Sequence, residues 1–184
     1  MDKGSDPAKR PVALVVSLLA GREPERARAV RRLRDRFGPL ALLSAPLPFD
    51  YTDYYQAEMG PGLSRRLALF CRLHPPQDLA RIKRICMSLE RDLAHQGRRR
   101  VNLDPGFLSA GSLVLATSKY REHRICIGEG LFAELTLWYH HGRFHALPWT
   151  YPDYAGQELG RVLEGFRKRY LWQLQHNQPG GGLF

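Results

Sequence analysis

The apolar run at residues 12–19, VALVVSLL, narrows the possible folds more than any other stretch of this chain. It is rich in β-branched residues and almost unbroken, which is typical of a strand buried on both faces. Residues 24–37, which follow, carry apolar side chains at helical spacing and end at Gly38-Pro39. A buried strand that leads straight into a helix indicates a domain in which helices cover a sheet.

The order of the next elements extends this interpretation. Residues 40–45 are predicted to form a second strand, residues 65–73 alternate in polarity as a half-buried strand does, and a helix follows from near Pro76. RRVNL at 99–103 is the next predicted strand, and Asp104-Pro105-Gly106 after it is typical of a turn. The order strand, helix, strand, strand, helix, strand predicts an α+β fold, a ferredoxin-like split βαβ sandwich.

The rest of the chain is predicted to extend this sandwich with a C-terminal β-hairpin and a terminal helix. Residues 109–118 fit either a short helix or a strand. Strands over 123–127 and 131–139 flank a glycine-rich turn, and residues 157–175 carry an apolar helical stripe. We expect a single globular domain over residues 11–176, with flexible tails at 1–10 and 177–184.

The charge balance favours anionic partners. The chain has 28 Lys and Arg residues against 18 Asp and Glu residues, a formal net charge of +10. Much of the excess is arginine at residues 21–38, which also fits a solvated helix face.

Three cysteines and the hydropathy pattern predict where the protein resides. Cys71, Cys86 and Cys126 lie far apart in apolar stretches, which indicates reduced packing residues of a cytoplasmic protein. No segment approaches the roughly 20 apolar residues that a membrane span requires, so no membrane partner is expected.

Two loops rich in proline and aromatic residues suit neither helix nor strand: PFDYTDYYQAEMG at 48–60 and PWTYPDY at 148–154. Proline fixes the backbone, and Tyr and Trp offer flat surfaces with a polar tip. We expect the loops to be two walls of one pocket. Their predicted ligand-binding residues are Asp50, Asp53, Tyr54, Tyr55, Trp149, Tyr151, Asp153 and Tyr154. Asp153 also lies close to where the N-cap of the last helix belongs.

The predicted hairpin adds charged groups to this site. The odd-numbered residues of 131–139 form an apolar face, and a turn at 128–130 places Arg124 opposite Glu134 as a cross-strand ion pair. This pair would either fix the strand register only or form the floor of the pocket. Lys119, His123 and Arg124 could hold an anionic group, although such a loop also fits plain surface.

Carboxylates suggest a different chemistry. Asp104 and Glu134, together with the acidic residues of the two loops, would suit a magnesium or manganese site, or general acid–base work, if they converged. Each of them also fits a structural role as a turn former or helix cap. The sequence contains neither a GxxxxGK phosphate loop nor a GxGxxG dinucleotide fingerprint, so any nucleotide site would be built differently.

Several motifs together resemble a family of uncharacterised bacterial proteins, a domain-of-unknown-function family marked by a WTYPDY motif. The residues that carry the resemblance are the first aromatic loop at 50–60, RRVNLDPGFL, LVLATSKYREHRI and LPWTYPDY, and it spans nearly the whole chain. It implies a cytoplasmic bacterial protein of one domain. It transfers no catalytic residue and identifies no cofactor. The motif positions are interpreted as loops and loop edges, where binding groups collect.

Three functions fit this pattern. The first is a pocket for an anionic small molecule, phosphorylated or nucleotide-like, with the aromatic residues stacking on a ring. The second is a nucleic-acid-binding module that uses a basic surface and exposed aromatics, although the RNP1 pattern is absent. The third is a metal-dependent hydrolase with converging carboxylates. The loops could also be purely structural and seal a sheet edge.

Overall fold

The computed structural model describes residues 10–52 and 55–176, which form a nine-stranded antiparallel sheet with helices on both faces. The strands are β1 (Val12–Ala20), β2 (Leu40–Leu43), β3 (Leu47–Pro48), β4 (Ser64–His74), β5 (Val101–Leu108), β6 (Ser112–Thr117), β7 (Ile125–Gly128), β8 (Leu131–His140) and β9 (Arg143–Ala146). The helices are α1 (Glu23–Phe37), α2 (Gln56–Met59), α3 (Leu79–Asp92) and α4 (Gln157–His176), and a 3-10 turn spans Pro76–Asp78. Apart from Arg10, the predicted tails at 1–10 and 177–184 lie outside the described residues.

The strand order is β2-β4-β1-β5-β6-β8-β7, with β3 beside β4 and β9 beside β8. β4 lies between the two strands of the β1–α1–β2 unit, and β1 lies between the two strands of the β4–α3–β5 unit. The two units therefore interleave. The mixture of helices and antiparallel sheet confirms the predicted α+β class, and the C-terminal hairpin and terminal helix are both present.

The central strand β1 contributes to two cores, because its side chains alternate between the faces of the sheet. Leu14, Val16 and Leu18 pack under α1 and α3, whereas Ala13 and Val15 pack under α4. A smaller third cluster contains Leu19, Phe49, Met59 and Leu63. On this face of the sheet, α4 therefore covers the start of β1, and the first aromatic loop covers its end.

The predicted turn at residues 104–106 is wrong, since these residues continue β5. The Leu103 N–H and carbonyl both point away from β1, to Glu90 Oε1 and Lys83 Nζ of α3. By the two-residue period of a strand, Pro105 points the same way. Its missing N–H therefore removes no bond to β1, which is why a proline is tolerated in this strand.

Gly106, the last residue of the predicted turn, also lies within β5. A Cβ at this position would lie 2.5 Å from Leu115 Cδ2 and 2.6 Å from the Val114 carbonyl oxygen of β6. The glycine is required because β5 and β6 approach closely there, and no reversal of the chain is involved. The ambiguous segment at 109–118 is a strand, β6, which pairs with both β5 and β8.

A bulge in β8 changes which side chains are buried. The register with β6 shifts between the Leu137 and Leu135 pairs, so that Thr136 is an extra residue. Leu135 is consequently 40% exposed, while Glu134 and Thr136 are buried. The predicted apolar face of odd-numbered residues is therefore wrong at Leu135, because the sequence does not reveal the extra residue.

The three cysteines differ in their exposure to solvent. All three cysteines are free thiols; Cys86 is buried as predicted, but Cys126 is exposed on β7. Within residues 10–52 and 55–176, no helix combines the length and apolar character needed to cross a membrane.

Candidate functional site

The structure brings the two aromatic loops together around one buried side chain, Arg65 of β4. Its guanidinium lies between two rings, with Cζ 5.0 Å from the ring centre of Phe49 in the first loop and 5.0 Å from that of Tyr154 in the second. Arg65 Nε lies 2.6 Å from Asp153 Oδ2, and Nη1 donates a hydrogen bond to Ser17 Oγ. Arg65 therefore ties β1 and β4 to both loops.

Strand alternation explains why polar groups meet at this point. Arg65 lies two residues before Leu67, on the face of β4 that packs toward α4. Ser17 of β1 pairs with Leu67 on one side and with Asp104 of β5 on the other. Three neighbouring strands thus place Ser17, Arg65 and Asp104 on one face, at the boundary between α4 and the first loop.

Two facing polar atoms of this centre are buried without a well-directed hydrogen bond from any described residue. They are Arg65 Nε and Asp153 Oδ2. Arg65 Nε and Asp153 Oδ2 are close enough for charge pairing, but the N–H does not point along a hydrogen bond. The two groups therefore balance each other's charge in the interior without a well-directed hydrogen bond.

Charge states at this centre follow from burial and from neighbouring charges. Burial alone would lower the pKa of Arg65, but Tyr154 and the carboxylates of Asp153 and Asp104 raise it above its ordinary value. Burial alone would raise the pKa of Asp104, but Lys83 and Arg65 outweigh it and hold this pKa below its ordinary value. Burial raises the pKa of Tyr154 to about 12, so its hydroxyl is a donor at neutral pH.

Arg65 and Asp153 line a pocket of about 180 Å³. Pro48 and Tyr51 of the first loop form part of its wall, and residues 156–159 at the start of α4 form another part. The first N–H groups of a helix have no partner within the helix, so this end of α4 offers donors and the positive end of the helix dipole. An anionic group would meet both these donors and the Arg65 guanidinium.

Asp104 extends the centre toward the outer edge of β5. Lys83 donates to Asp104 Oδ1 at 3.0 Å, and Asn102 Nδ2 donates to Asp104 Oδ2 at 2.6 Å. Arg99 Nη1 donates to Asn102 Oδ1 at 2.9 Å, and Arg99 Nη2 donates to Glu58 Oε2 of α2 at 2.6 Å. This chain of contacts anchors the first loop on the sheet.

A second buried cluster forms around Glu134, which is 2% exposed. Arg124 Nε donates to Glu134 Oε2 at 2.7 Å, which confirms the predicted ion pair, and His123 Nε2 lies 3.0 Å from the same oxygen. The His123 ring stacks on Trp149 with the ring centres 4.9 Å apart, and Arg124 Nη1 donates to the Lys119 carbonyl oxygen at 2.8 Å. Arg124 is thus already matched by a buried carboxylate.

The second aromatic loop is held by hydrogen bonds to the outer edge of β8. Trp149 Nε1 donates to the Leu135 carbonyl oxygen at 2.8 Å, and Thr150 Oγ1 donates to that of Thr136 at 2.6 Å. The Leu147 N–H donates to Thr150 Oγ1 at 2.8 Å. The loop therefore occupies the stretch of edge between β7 and β9, so these two residues anchor it while Asp153 and Tyr154 reach Arg65.

The predicted site residues separate into two clusters. The Arg65 centre includes Asp104, Asp153, Tyr154 and the nearby Tyr55, and the Glu134 cluster includes Lys119, His123, Arg124 and Trp149. Tyr151 lies between them, since its hydroxyl influences the pKa values of both Arg124 and Tyr55. Asp50 is exposed and belongs to neither cluster, and Asp53 and Tyr54 lie outside the described residues.

Two expected roles differ in the structure. Arg65 and Asp153, rather than Arg124 and Glu134, lie in the lining of the described pocket. Asp153 is not the N-cap of α4, because the helix begins at Gln157 and Gly156 precedes it directly, whereas Asp153 Oδ2 faces Arg65.

Sequence reasoning also missed Arg65 itself. Arg65 points to the same face of its strand as Leu67 and Leu69, because alternate residues of a strand share a face. A charged residue on this apolar face is unusual and could have identified Arg65 from the sequence. Ser17, which interrupts the apolar run of β1, carried a similar signal.

Among the described residues, Asp104 and Asp153 both lie near Arg65, whereas Glu134 lies in the other cluster, and each carboxylate has its own cation. Asp104 pairs with Lys83, Glu134 with Arg124, and Asp153 with Arg65. In the part of the chain that the structure describes, no three His, Cys, Asp or Glu side chains come together as a possible set of metal ligands.

Comparison with known proteins places both loops and the pocket within a recognised family. Residues 10–170 match the family described as "Domain of unknown function (DUF4416)". No curated protein and no solved structure matched the chain. The family description names no activity, so the function is argued from the geometry of the site.

Proposed function

We propose that this chain, which belongs to the DUF4416 family, binds a small anionic molecule in the pocket between its two aromatic loops, with Arg65 beneath the anionic group. The observation that carries the proposal is the environment of Arg65. Its side chain is only 8% exposed and lines the pocket, and burial does not neutralise it, because Tyr154 and the neighbouring carboxylates raise its pKa. A guanidinium that stays charged at a pocket wall can pair with an anionic group of a ligand.

The surroundings of Arg65 favour an anion over a neutral ligand. The start of α4 lines the same pocket, and helix N-termini attract phosphate and carboxylate groups. A guanidinium presents parallel N–H donors that match these groups. Two carboxylates also line the pocket: Asp153 is paired with Arg65, and Glu158 is exposed at the rim.

The size of the pocket limits the ligand. About 180 Å³ is below the roughly 300–1,000 Å³ of sites for drug-sized molecules. The pocket therefore fits one phosphate or carboxylate with a short body, such as a sugar phosphate. The Tyr51 ring, which is 51% exposed at the wall, offers that body a flat apolar surface with a polar tip.

We place this function in the cytoplasm. The three cysteines are free thiols, as a reducing compartment would keep them. An anionic metabolite of this size would be available there.

A thermal-shift screen tests the proposal. The purified chain would be heated with inorganic phosphate, sugar phosphates, nucleoside monophosphates and dicarboxylates at constant ionic strength. A compound present at about one hundred times its dissociation constant should add about 2.7 kcal/mol to the free energy of unfolding, which raises the melting temperature by a few degrees.

The matched control uses a second buried arginine. Arg26 of α1 is also buried and also bonds to a serine, but it lies outside the pocket lining. Arg65→Lys should abolish the ligand-induced shift, whereas Arg26→Lys should retain it, each variant being compared with its own ligand-free melting temperature. An equal shift in both variants, or no shift with any compound, would refute the proposal and leave the loops as structural elements.

A further inference from the structure

About half of the net charge of the chain lies on one layer of the molecule. α1 contains six basic and three acidic residues, and α3 contains four basic and two acidic residues. The two helices therefore carry +5 of the chain's net charge of +10. Because α1 and α3 contact each other and pack on the same core, this charge lies on one side of the sheet.

The outer surface of this layer is made of arginine side chains. Those that are exposed and form no ion pair with another described residue are Arg28, Arg31, Arg32, Arg34, Arg36 and Arg91. α1 has three acidic side chains on or near this surface: Glu23 pairs with Arg26, Glu25 is half-buried in the first turn, and Asp35 is exposed near the end of the helix. Unpaired arginines concentrated on one surface form a strongly positive field there.

The central strands offer no open face on which bases could stack. All nine residues of β1 are buried, and helices cover both sides of it. The form of nucleic-acid binding expected from the sequence, with aromatics exposed on a ferredoxin-like sheet, needs such a face. The positive charge lies on the helices instead.

We infer that the layer formed by α1 and α3 docks on the phosphate backbone of a nucleic acid without reading its bases. Guanidinium groups bind phosphate oxygens through two parallel hydrogen bonds. The 15 residues of α1 extend over about 22 Å, which spans several phosphates of one strand. Phosphate contacts of this kind supply affinity and position without sequence preference.

The composition of the surface favours a nucleic acid over a membrane. Helices that lie on membranes insert Trp, Phe or Leu side chains beside their basic residues. Exposed large hydrophobic side chains of the described residues are Leu42, Tyr51, Tyr120, Ile125, Leu135, Trp138, Trp149, Tyr151 and Trp172. None of these belongs to α1 or α3, whose apolar faces are already buried in the core.

This surface and the small-anion pocket lie on opposite faces of the sheet, so the two proposals can fail separately. The pocket is lined from the α4 face, whereas α1 and α3 cover the other face. A variant of the helix layer should therefore leave the ligand-induced thermal shift unchanged.

Fluorescence anisotropy with a labelled duplex DNA of about two helical turns, and with an RNA hairpin of similar length, tests the inference. Arg28→Glu, Arg31→Glu and Arg32→Glu would be combined in one variant. The control combines Arg121→Glu, Arg143→Glu and Lys168→Glu, three exposed residues outside the layer with the same total change of charge. Binding would be measured between about 50 and 200 mM KCl.

The helix-layer variant should bind about tenfold or more weakly than the wild type at low salt. The slope of log affinity against log salt concentration should become less negative by about 3, since each of the three lost phosphate contacts accounts for about 0.9 of the slope. The control variant should lose less than about threefold. DNA and RNA should behave alike if the contacts are to phosphates only.

Equal weakening in both triple variants would overturn the inference, because net charge alone would then explain the binding. Binding to vesicles of anionic phospholipid without binding to either nucleic acid would also overturn it. If circular dichroism shows that the glutamate variant is unfolded, the variant with Arg28→Gln, Arg31→Gln and Arg32→Gln replaces it, and its loss of affinity decides the result.

Discussion

Arg65 and Asp153 face each other at 2.6 Å in the interior, one from β4 and the other from the second aromatic loop. This contact holds the PWTYPDY segment against the sheet and places a guanidinium at the base of a pocket. Of the rings of this loop, Tyr154 packs on the guanidinium and helps to bury the charged pair. The two prolines restrict the backbone that carries Asp153 and Tyr154.

A double-mutant cycle should show that the two residues depend on each other. Arg65→Met or Asp153→Leu alone should lower the free energy of unfolding by about 3–5 kcal/mol, because each leaves a buried charge without its partner. The combined variant should lose at least about 1 kcal/mol less than the sum of the two. Urea unfolding measures all four proteins. Additive losses would mean that the pair is not coupled.

Glu134 should matter more than the other glutamate of the same hairpin. Glu134→Gln leaves Arg124 and His123 without their shared carboxylate in a buried cluster, so we expect a loss of about 1–3 kcal/mol of stability. Glu129→Gln, the control, removes an exposed pair with Arg84 and should cost less than about 0.5 kcal/mol. Equal losses in chemical denaturation would contradict the central place of Glu134.

Two glycine substitutions should have opposite effects. Gly106→Ala forces a methyl group against the backbone of β6 and should destabilise the protein by more than about 2 kcal/mol. Gly165→Ala, in the middle of α4, meets nothing within 4 Å and should stabilise it by about 0.5–1 kcal/mol. Thermal unfolding of both variants checks the close approach of β5 and β6. A harmless Gly106→Ala would mean that the strands lie further apart.

His74 should make stability depend on pH. Burial and the nearby Arg72 lower its pKa, and Asp78 only partly opposes them. The unfolded chain binds the proton more readily than the folded one, so stability is full above about pH 6.5 and falls as the pH drops toward the folded pKa. In His74→Phe, the fall in melting temperature between pH 7 and pH 5 should be smaller than in the wild type. An unchanged fall would assign the pH dependence to other groups.

Glu158 should oppose an anionic ligand. It is exposed at the start of α4 and lines the pocket, so its carboxylate repels a bound anion across the rim. Glu158→Gln should tighten binding of a phosphorylated or carboxylate ligand by about two- to fivefold, with the difference shrinking at high salt. Isothermal titration calorimetry at two salt concentrations measures both effects. Weaker binding would indicate that Glu158 contacts a donor group of the ligand.

Local patterns were sufficient for much of the architecture. The buried strand at 12–19, the long terminal helix and the Arg124–Glu134 pair follow from side-chain periodicity and from the position of the hairpin turn. These features depend on residues that are close in sequence. The α+β class follows from their order.

The remaining features depend on partners that are distant in sequence. Pro105 is tolerated in β5 because Lys83 and Glu90 of α3 satisfy the outer edge of the strand at Leu103. The burial of Glu134 depends on a bulge that is defined only by pairing with β6. Arg65 becomes a candidate binding residue only when both aromatic loops reach it, which no local pattern indicates.

The most direct test of the central claim is the NMR signal of the Arg65 Nε–H group during a titration with the best ligand from the thermal-shift screen. The signal is assigned by its loss in Arg65→Lys. A bound anion beside this guanidinium should shift the signal in a saturable way, with the same dissociation constant as the thermal and calorimetric data. A ligand that binds while the Arg65 signal stays unchanged would place the site elsewhere and contradict the account.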